Sequence, residues 1–145
     1  MPSGRSQPPS AEIIAAELLA ALDARRQIAP LTETYPDFDL DVAYVIAAEV
    51  RQRRIARGER PIGRKIGFTN YTIWDEYGVH APIWGDVYDT TVGTLDADGS
   101  GAIDLAPFVE PCIEPEIAFG LARAPEPDMD ETALLACIDW VRPRF

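Results

Sequence analysis

The sequence predicts an α+β fold, with helices in its first part and short strands after them. Residues 10–58 hold two runs of apolar side chains at helical spacing, and each run follows a residue suited to cap a helix. Beyond residue 58 the pattern changes to short apolar runs separated by glycine and proline, which is typical of strands and turns. We therefore expect a disordered tail over residues 1–9, a helical region over residues 10–60 and a β-rich region over residues 61–145.

Length and charge narrow the class of protein. The chain has 145 residues, of which 47% are hydrophobic, and this fits one globular domain with a packed core. The formal net charge of -11 disfavours nucleic acid or a membrane as a partner, because both are polyanions that bind basic surfaces. A divalent cation suits this charge better. Because the sequence shows neither an apolar run near the ~20 residues that span a bilayer nor a signal peptide, we expect a soluble, cytoplasmic protein.

The cysteines and the histidine offer little chemistry by themselves. Cys112 and Cys137 are too few and too far apart for a zinc site, so we expect two buried free thiols, with one disulfide as the alternative. His80 is the only histidine, and any Ser-His-Asp or Cys-His site would have to include it. No neighbour in the sequence completes such a site, and a direct role for His80 is the minor alternative.

The first predicted helix begins after Ser10 and ends before Pro30, and the second runs from Asp39 to Gly58. Residues 29–36 between them are expected to form an extended connector. The apolar stripes of the two helices contain Ile14, Leu18, Leu22, Leu40, Ala43, Tyr44, Ala47 and Val50. The last turns of the second helix hold the arginines Arg51, Arg53, Arg54 and Arg57. We interpret these arginines as a solvated helix end that complements the helix dipole, rather than as an anion site.

The first predicted strand lies within residues 61–70 and carries Lys65, with Gly63 and Gly67 two residues to either side. Glycine at these positions permits another backbone or a ligand to approach the lysine amine closely. In a half-buried strand, Lys65 is either a partner for an acidic ligand group or a surface side chain whose stem packs along the sheet. The pattern leaves both interpretations open.

A short helix with Trp74 is expected over residues 71–77, then a loop over residues 78–85 and a strand over residues 86–89. Residues 91–104 resemble a polar hairpin connection rather than a calcium loop, because the glutamate that closes an EF-hand is missing. A last helix is expected after Asp130, and its apolar face would contain Ala133, Leu134, Cys137, Ile138 and Val141.

Residues 111–119 are expected to form a further strand that holds Glu114 and Glu116. Alternation along a strand would point both carboxylates to one face and the neighbouring isoleucines to the other. Carboxylates are hard oxygen ligands that suit Mg²⁺ or Mn²⁺. Pro115 between them gives up one ladder hydrogen bond, as is common at edges and bulges. The spacing alone also fits a solvated acidic face, and by itself it favours that plainer interpretation.

Three segments together resemble a known group of enzymes. They are Gly63-x-Lys65-Ile66-Gly67-Phe68-Thr69-Asn70, Gly78-Val79-x-x-Pro82-Ile83-x-Gly85 and Glu110-Pro111-x-Ile113-Glu114-Pro115-Glu116-Ile117-Ala118-Phe119. The order and spacing of these segments resemble those of the 2-oxo-4-pentenoate hydratase and 4-oxalocrotonate decarboxylase group of the fumarylacetoacetate hydrolase superfamily. The resemblance covers most of residues 10–145. The resemblance implies N-terminal helices packed on a mixed, β-rich fumarylacetoacetate hydrolase-like core. Residues 61–145 would be the first part of that catalytic domain, incomplete at the C-terminus.

The resemblance also implies an activity and a set of site residues. The activity is that of a divalent-metal-dependent lyase of aromatic catabolism, acting on an unsaturated 2-oxo or 2-hydroxy acid. Glu114 and Glu116 would be two of three carboxylate ligands of Mg²⁺ or Mn²⁺. Lys65 would be catalytic, and Thr69 and Ile83 would join it in binding the substrate. The third ligand would lie just beyond the end of this sequence, so the resemblance implies a chain that is truncated and inactive alone, and a homo-oligomer when complete.

The reaction itself stays open between several alternatives. Several hydratases of the group carry an acidic residue where this chain has Ile83, and an apolar side chain cannot act as a general base. A hydratase of the 2-hydroxypenta-2,4-dienoate type is favoured, with a 4-oxalocrotonate-type decarboxylase as the alternative. A hydrolase that cleaves carbon–carbon bonds would need a role for His80. A domain with no catalysis of its own is the remaining alternative.

Overall fold

The computed structural model describes residues 10–144, and the expected tail over residues 1–9 lies outside this range. Helices and antiparallel strands occur together, which confirms the α+β class. The chain divides into two compact units, the first ending at Val109 and the second beginning at Glu110. The finer predictions, a fumarylacetoacetate hydrolase-like core and a boundary near residue 60, stay predictions. No helix of the described range is both long enough and apolar enough to cross a bilayer.

Two helices form the core of the first unit. Helix α1 spans Ala11–Asp23 and helix α3 spans Leu40–Ala56. Ile14 of α1 is buried against Ile46 of α3, and partly buried apolar side chains surround this contact. Removing apolar surface from water is the main force that holds such a pair together. Leu22 is 61% exposed, so the predicted stripe of α1 is not buried along its whole length.

The start of α1 after Ser10 and both ends of α3 are confirmed, whereas α1 ends at Asp23, well before Pro30, and the connector between the helices is not extended. The carboxylate of Asp39 accepts a 2.9 Å hydrogen bond from the backbone N–H of Val42 and caps α3. Gly58, just past the end of α3, has a φ of 93°, a value that glycine adopts easily. Helix α2, Leu31–Thr34, lies where an extended segment was expected. Pro30 precedes its first turn, where the missing N–H of proline costs no hydrogen bond.

A two-stranded antiparallel ribbon follows the helices. Strand β1 spans Pro61–Gly67 and strand β2 spans Ile83–Tyr88. The second strand begins three positions before the predicted one, because its pairing with β1 continues to Ile83 opposite Gly67. Between the strands, the expected short helix with Trp74 is confirmed as a 3-10 turn, Tyr71–Ile73, continued by helix α4, Trp74–Tyr77.

The arginines of α3 join the helix to the ribbon. Arg54 pairs with Glu59 at 2.6 Å, and its guanidinium lies 3.9 Å from the centre of the Tyr88 ring. Arg51 pairs with Asp86 at 3.3 Å. The interpretation as a solvated helix end is therefore wrong for these two arginines. Carboxylates and an aromatic face compensate for the water that a half-buried guanidinium gives up. Burial, and then the charge of Asp86, raises the pKa of Tyr88.

The second unit holds another antiparallel ribbon and a short helix. Strand β3 spans Glu116–Leu121, helix α5 spans Glu131–Leu135 and strand β4 spans Ile138–Arg144. The prediction that the last helix continues to Val141 is wrong, because this part of the chain pairs with β3 instead. Its aromatic and β-branched side chains favour strands, and Pro143 cannot continue a helix.

Two further predictions for the chain between the ribbons are wrong. Residues 111–115 lie outside the strand that was expected to include them, and β3 begins only at Glu116. Pro111 and Pro115 explain this, because proline has no N–H to donate to a ladder. Residues 91–104 do not connect neighbouring strands, since β2 pairs with β1 and β3 pairs with β4.

The β3–β4 ribbon has one face fixed by a close approach of backbone and ring. Gly120 lies opposite Trp140, and a Cβ at Gly120 would overlap the indole ring. Glycine is therefore required there by packing. Ile117 and Phe119 lie on the other face and are 65% and 56% exposed.

The cysteines differ from the expected buried pair. Cys137 is fully buried and donates its thiol to the carbonyl oxygen of Ala133 at 3.4 Å, whereas Cys112 is exposed. Both thiols are free, so the alternative of a disulfide is also wrong. Cys112 follows Pro111 in the segment that is not part of a strand, and this explains its exposure.

Candidate active site

Strand β1 presents Lys65 on one face of the first ribbon. Side chains two positions apart on a strand, and those directly opposite each other on paired strands, share a face. Lys65 therefore shares its face with Gly63 and Gly67 of its own strand and with Gly85 directly opposite. The strand around Lys65 is confirmed. The side chain is exposed, however, rather than half-buried as expected, because this face has three glycines around the lysine.

The other face of the ribbon contacts α3 through Trp84. The ring of Tyr44 stacks on Trp84 with a centroid distance of 5.1 Å, and its hydroxyl accepts a 3.1 Å hydrogen bond from the backbone N–H of Trp84. The guanidinium of Arg64 lies 4.0 Å from the centre of the same indole. Helix α3 thereby fixes β2 at the residue between Ile83 and Gly85. The sequence does not predict this contact, since no local pattern indicates a pairing of residues 40 positions apart.

Thr69 lies in the turn that directly follows β1, and the turn is held by α4. Phe68 has a φ of 54°, a left-handed conformation that is strained for a bulky residue. Its carbonyl oxygen accepts a 2.8 Å hydrogen bond from the indole N–H of Trp74, and its ring meets Tyr77 edge-on at 5.7 Å. Such strain persists only where the surroundings fix the backbone. The position of Thr69, which is exposed, is therefore set by these two contacts to α4.

Ile83 begins β2 and points to the same face as Lys65. It lies opposite Gly67, and its side chain would be 3.5 Å from a Cβ placed there, which is ordinary van der Waals contact. The structure thus brings the predicted residues Lys65 and Ile83 together on one surface, with Thr69 in the adjoining turn. His80 is exposed in the loop before β2.

The predicted metal ligands lie in the second unit. Glu116 is the first residue of β3, Glu114 precedes the strand, and both are exposed. Strand alternation therefore fixes the face of Glu116 alone, and the common direction of the two carboxylates stays a prediction. Within residues 10–144, no group of three or more His, Cys, Asp or Glu side chains is placed to hold a metal ion.

The donor atoms of Glu114 and Glu116 nevertheless fit a hard divalent cation. Mg²⁺ prefers oxygen ligands and is usually bound by one or two carboxylates, with water and substrate oxygens as the remaining ligands. Two glutamates separated by one residue supply such carboxylates. The cysteines add nothing here, since thiolates suit softer metals.

Comparison with known proteins identifies the relatives of this chain. The chain is 34% identical over 139 residues to the 2-keto-4-pentenoate hydratase of Paraburkholderia xenovorans, and the match covers 94% of the chain and 49% of the hydratase. It is 33% identical over 126 residues to the 4-oxalocrotonate decarboxylase of Pseudomonas sp. strain CF600, with 86% and 46% covered. The chain is a relative of the 2-keto-4-pentenoate hydratases and 4-oxalocrotonate decarboxylases.

A solved structure agrees with this relationship. The 4-oxalocrotonate decarboxylase from Pseudomonas putida G7, complexed with magnesium and adipate, matches the chain with a TM-score of 0.82 and 27% sequence identity. The match covers 95% of the chain and 52% of that structure. The chain spans about half the length of the curated hydratases and decarboxylases that it matches. No protein-family model matches it.

Proposed function

We propose that the full-length protein is a divalent-metal-dependent lyase with a fumarylacetoacetate hydrolase-like core that acts on an unsaturated 2-oxo or 2-hydroxy acid. Hydration of a 2-hydroxypenta-2,4-dienoate-type acid is the favoured reaction. The observation that carries this proposal is the 34% identity over 139 residues with a 2-keto-4-pentenoate hydratase. The exposed Lys65 on a glycine-rich ribbon face supports it, because a small acid needs a cation and room beside that cation.

Lys65 is the proposed catalytic residue. Its ammonium group would attract the carboxylate of the substrate and stabilise negative charge that develops during the reaction. From the same position, its Nζ could donate a proton to the substrate. Ile83, on the same face, would contact the apolar part of the substrate, and Thr69 in the turn after β1 would offer a hydroxyl group.

Glu114 and Glu116 are the proposed protein ligands of Mg²⁺ or Mn²⁺. When bound, the cation would supply Lewis-acid polarisation of the adjacent carboxylate and carbonyl oxygens of a 2-oxo acid. The two carboxylates would hold the cation and balance its charge. The solved relative that is complexed with magnesium supports this choice of cation.

A 4-oxalocrotonate-type decarboxylase is the second candidate. Two observations favour it: the similarity to a solved decarboxylase, and the apolar Ile83 at a position where an acidic side chain would assist hydration. The two reactions differ in what is added to the substrate and what is released from it. Hydration adds one water across a carbon–carbon double bond, whereas decarboxylation breaks a carbon–carbon bond, releases CO₂ and leaves the electron pair in a conjugated dienolate that takes up one proton.

Assays of the full-length protein with Mg²⁺ separate these candidates. With 2-hydroxypenta-2,4-dienoate, a hydratase abolishes the ultraviolet absorbance of the conjugated diene. With 4-oxalocrotonate, a decarboxylase releases one CO₂ per substrate. A folded, Mg²⁺-supplied protein that does neither contradicts the proposed function. Sedimentation of the same sample tests the homo-oligomer that the family resemblance implies.

Metal binding gives a prediction that is independent of turnover. We expect Glu116→Gln and Glu114→Gln each to weaken Mg²⁺ binding at least about tenfold, because a neutral amide is a poorer ligand than a carboxylate. Isothermal titration calorimetry of the full-length protein with MgCl₂ measures this directly. Glu126→Gln, an exposed glutamate of the second unit, is the matched control and should bind as the wild type does. Unchanged affinity in both site variants would remove these residues from the metal site.

A further inference from the structure

Glycines surround Lys65 on its face of the first ribbon. Gly63 lies two positions before it, and Gly85 lies directly opposite on β2. The same face continues to Ile83 at one end of β2 and to Val87 towards the other, and both are half-buried. The neighbours of Lys65 on this face are therefore glycines without side chains, and the β-branched side chains of Ile83 and Val87 lie diagonally opposite it on β2.

The folded backbone does not require glycine at positions 63 and 85. Neither residue has a φ in the left-handed region, and a Cβ built on either one meets no atom within 4 Å. Gly120 of the second ribbon is the opposite case, because Trp140 occupies the space of its side chain. Glycine inside a strand costs roughly 0.5–1 kcal/mol relative to alanine. Two such positions next to Lys65 thus lower stability without a packing benefit within the chain.

We infer that Gly63 and Gly85 are specificity-determining residues that form the floor on which the substrate lies beside Lys65. The inference rests on the proposed function and adds the shape of the ligand. A flat, conjugated acid would place its carboxylate at the ammonium group of Lys65 and its unsaturated chain on the backbone of Gly85. Ile83 and Val87 would flank that chain, so this surface favours a planar acid over a branched one.

Substitution at Gly85 tests the floor without removing any charged group. Gly85→Val places two methyl groups beside Lys65, and we expect the KM for 2-hydroxypenta-2,4-dienoate to rise about tenfold or more, because these groups would occupy the space of the substrate chain. Gly85→Ala should have a smaller effect in the same direction. The circular dichroism spectrum should match that of the wild type, and the unfolding temperature should be equal or higher, since the Cβ has space and valine favours strands.

A second readout follows the modification of Lys65 itself by mass spectrometry of peptides, and Lys65 is the only lysine within residues 1–145. Adipate with Mg²⁺ should slow the reaction of Lys65 with an amine-specific reagent in the wild type, and Gly85→Val should lose this protection. Gly93→Val is the matched control, because its Cβ also meets nothing within 4 Å and it lies outside the ribbon. It should keep both the wild-type KM and the protection.

The outcomes separate the inference from the proposed function. A wild type that neither turns over the dienoate or 4-oxalocrotonate nor shows protection by adipate overturns both. An active wild type whose Gly85→Val and Gly85→Ala variants keep the same KM and the same protection overturns the floor alone. If Gly85→Val fails to fold, Gly85→Ala decides by the same two measurements.

Discussion

Lys65 stands in the middle of β1, and its nearest neighbours on the same face of that strand, Gly63 and Gly67, have no side chains. We expect Lys65→Ala to lower kcat about 100-fold or more, the range typical of a lost proton donor or charge. Lys65→Arg keeps the charge but does not release a proton near neutral pH. The Lys65→Arg variant should therefore have a KM close to that of the wild type and a low kcat.

Steady-state kinetics of the full-length protein measures both variants. Because Lys65 is exposed, neither variant should change the circular dichroism spectrum. Full activity of Lys65→Ala would exclude the residue from the mechanism. Full activity of Lys65→Arg would show that Lys65 acts through its charge and does not donate a proton.

Glu59 links acid stability to the contact between α3 and the first ribbon. Its carboxylate accepts hydrogen bonds from Arg54 at 2.6 Å and from the hydroxyl of Thr90 at 2.7 Å. The first of these bonds, then the second, lowers the pKa of Glu59 below its ordinary value of 4.5. A lowered folded-state pKa stabilises the protein above the unfolded-state value, and this stabilisation is lost as the pH falls through the folded-state pKa.

We therefore expect Glu59→Gln to flatten the pH dependence of stability on the acid side. Between about pH 5 and pH 3, the free energy of unfolding should fall less in the variant than in the wild type. Urea unfolding at several pH values measures the slopes. Glu17→Gln, an exposed residue of α1, should keep the wild-type slope. Equal slopes for Glu59→Gln and the wild type would contradict the prediction.

At single positions, the sequence predicts features whose partners are close in the chain, and it does not predict contacts between residues that are far apart in the chain. The cap at Asp39 and the terminator Gly58 were predictable because their partners lie within a few residues. Lys65 and the glycines on its own strand were also visible. Gly85 opposite Lys65 could not be assigned, because the register of β1 and β2 depends on contacts between separate segments.

Among the elements, α1 and α3 show which kind of contact carries stability. Ile14 is 1% exposed and packs on Ile46, whereas the adjacent Ile13 is 60% exposed. We expect Ile14→Ala to cost about 2–5 kcal/mol of unfolding free energy. Ile13→Ala, the matched control, should change it by less than about 0.5 kcal/mol. Equal costs, measured by urea unfolding, would contradict this placement of the core.

The ion pair between these two helices should contribute little to the free energy of unfolding. Arg57 and Asp23 approach to 2.9 Å, but their side chains are 44% and 58% exposed. An exposed pair contributes less than about 1 kcal/mol, because water and salt screen it. Apolar burial rather than charge therefore holds α1 on α3.

The elements that sequence analysis missed are those decided by pairing. Residues 131–141 carry apolar side chains that fit either a helix or a strand, and the helix predicted there ends at Leu135. Pairing with β3 turns the remainder into β4, although β3 lies before α5 in the chain. Glu114 was misplaced for a different reason. Pro111 and Pro115 near it disfavour a ladder, so the alternation expected of a strand does not extend to Glu114.

At the scale of the molecule, buried residues are distributed unequally between the two units. The first unit contains most of them: Ile14, Ala15, Leu19, Ala21, Ile46 and Tyr88. Within residues 110–143, only Cys137 is buried. A segment of under about 40 residues rarely folds without a disulfide, a metal or a partner, because it cannot bury enough apolar surface. The second unit should therefore depend on the rest of the protein for its fold.

Separate fragments test this dependence. We expect a peptide of residues 110–145 to show the far-ultraviolet circular dichroism of an unfolded chain and no cooperative melting. A fragment of residues 10–109 should keep helical signal and unfold cooperatively, because Ile14 and Ile46 lie within it. If β3 and β4 are stable by themselves, the peptide will instead melt cooperatively, and strand pairing rather than burial would then hold that ribbon together.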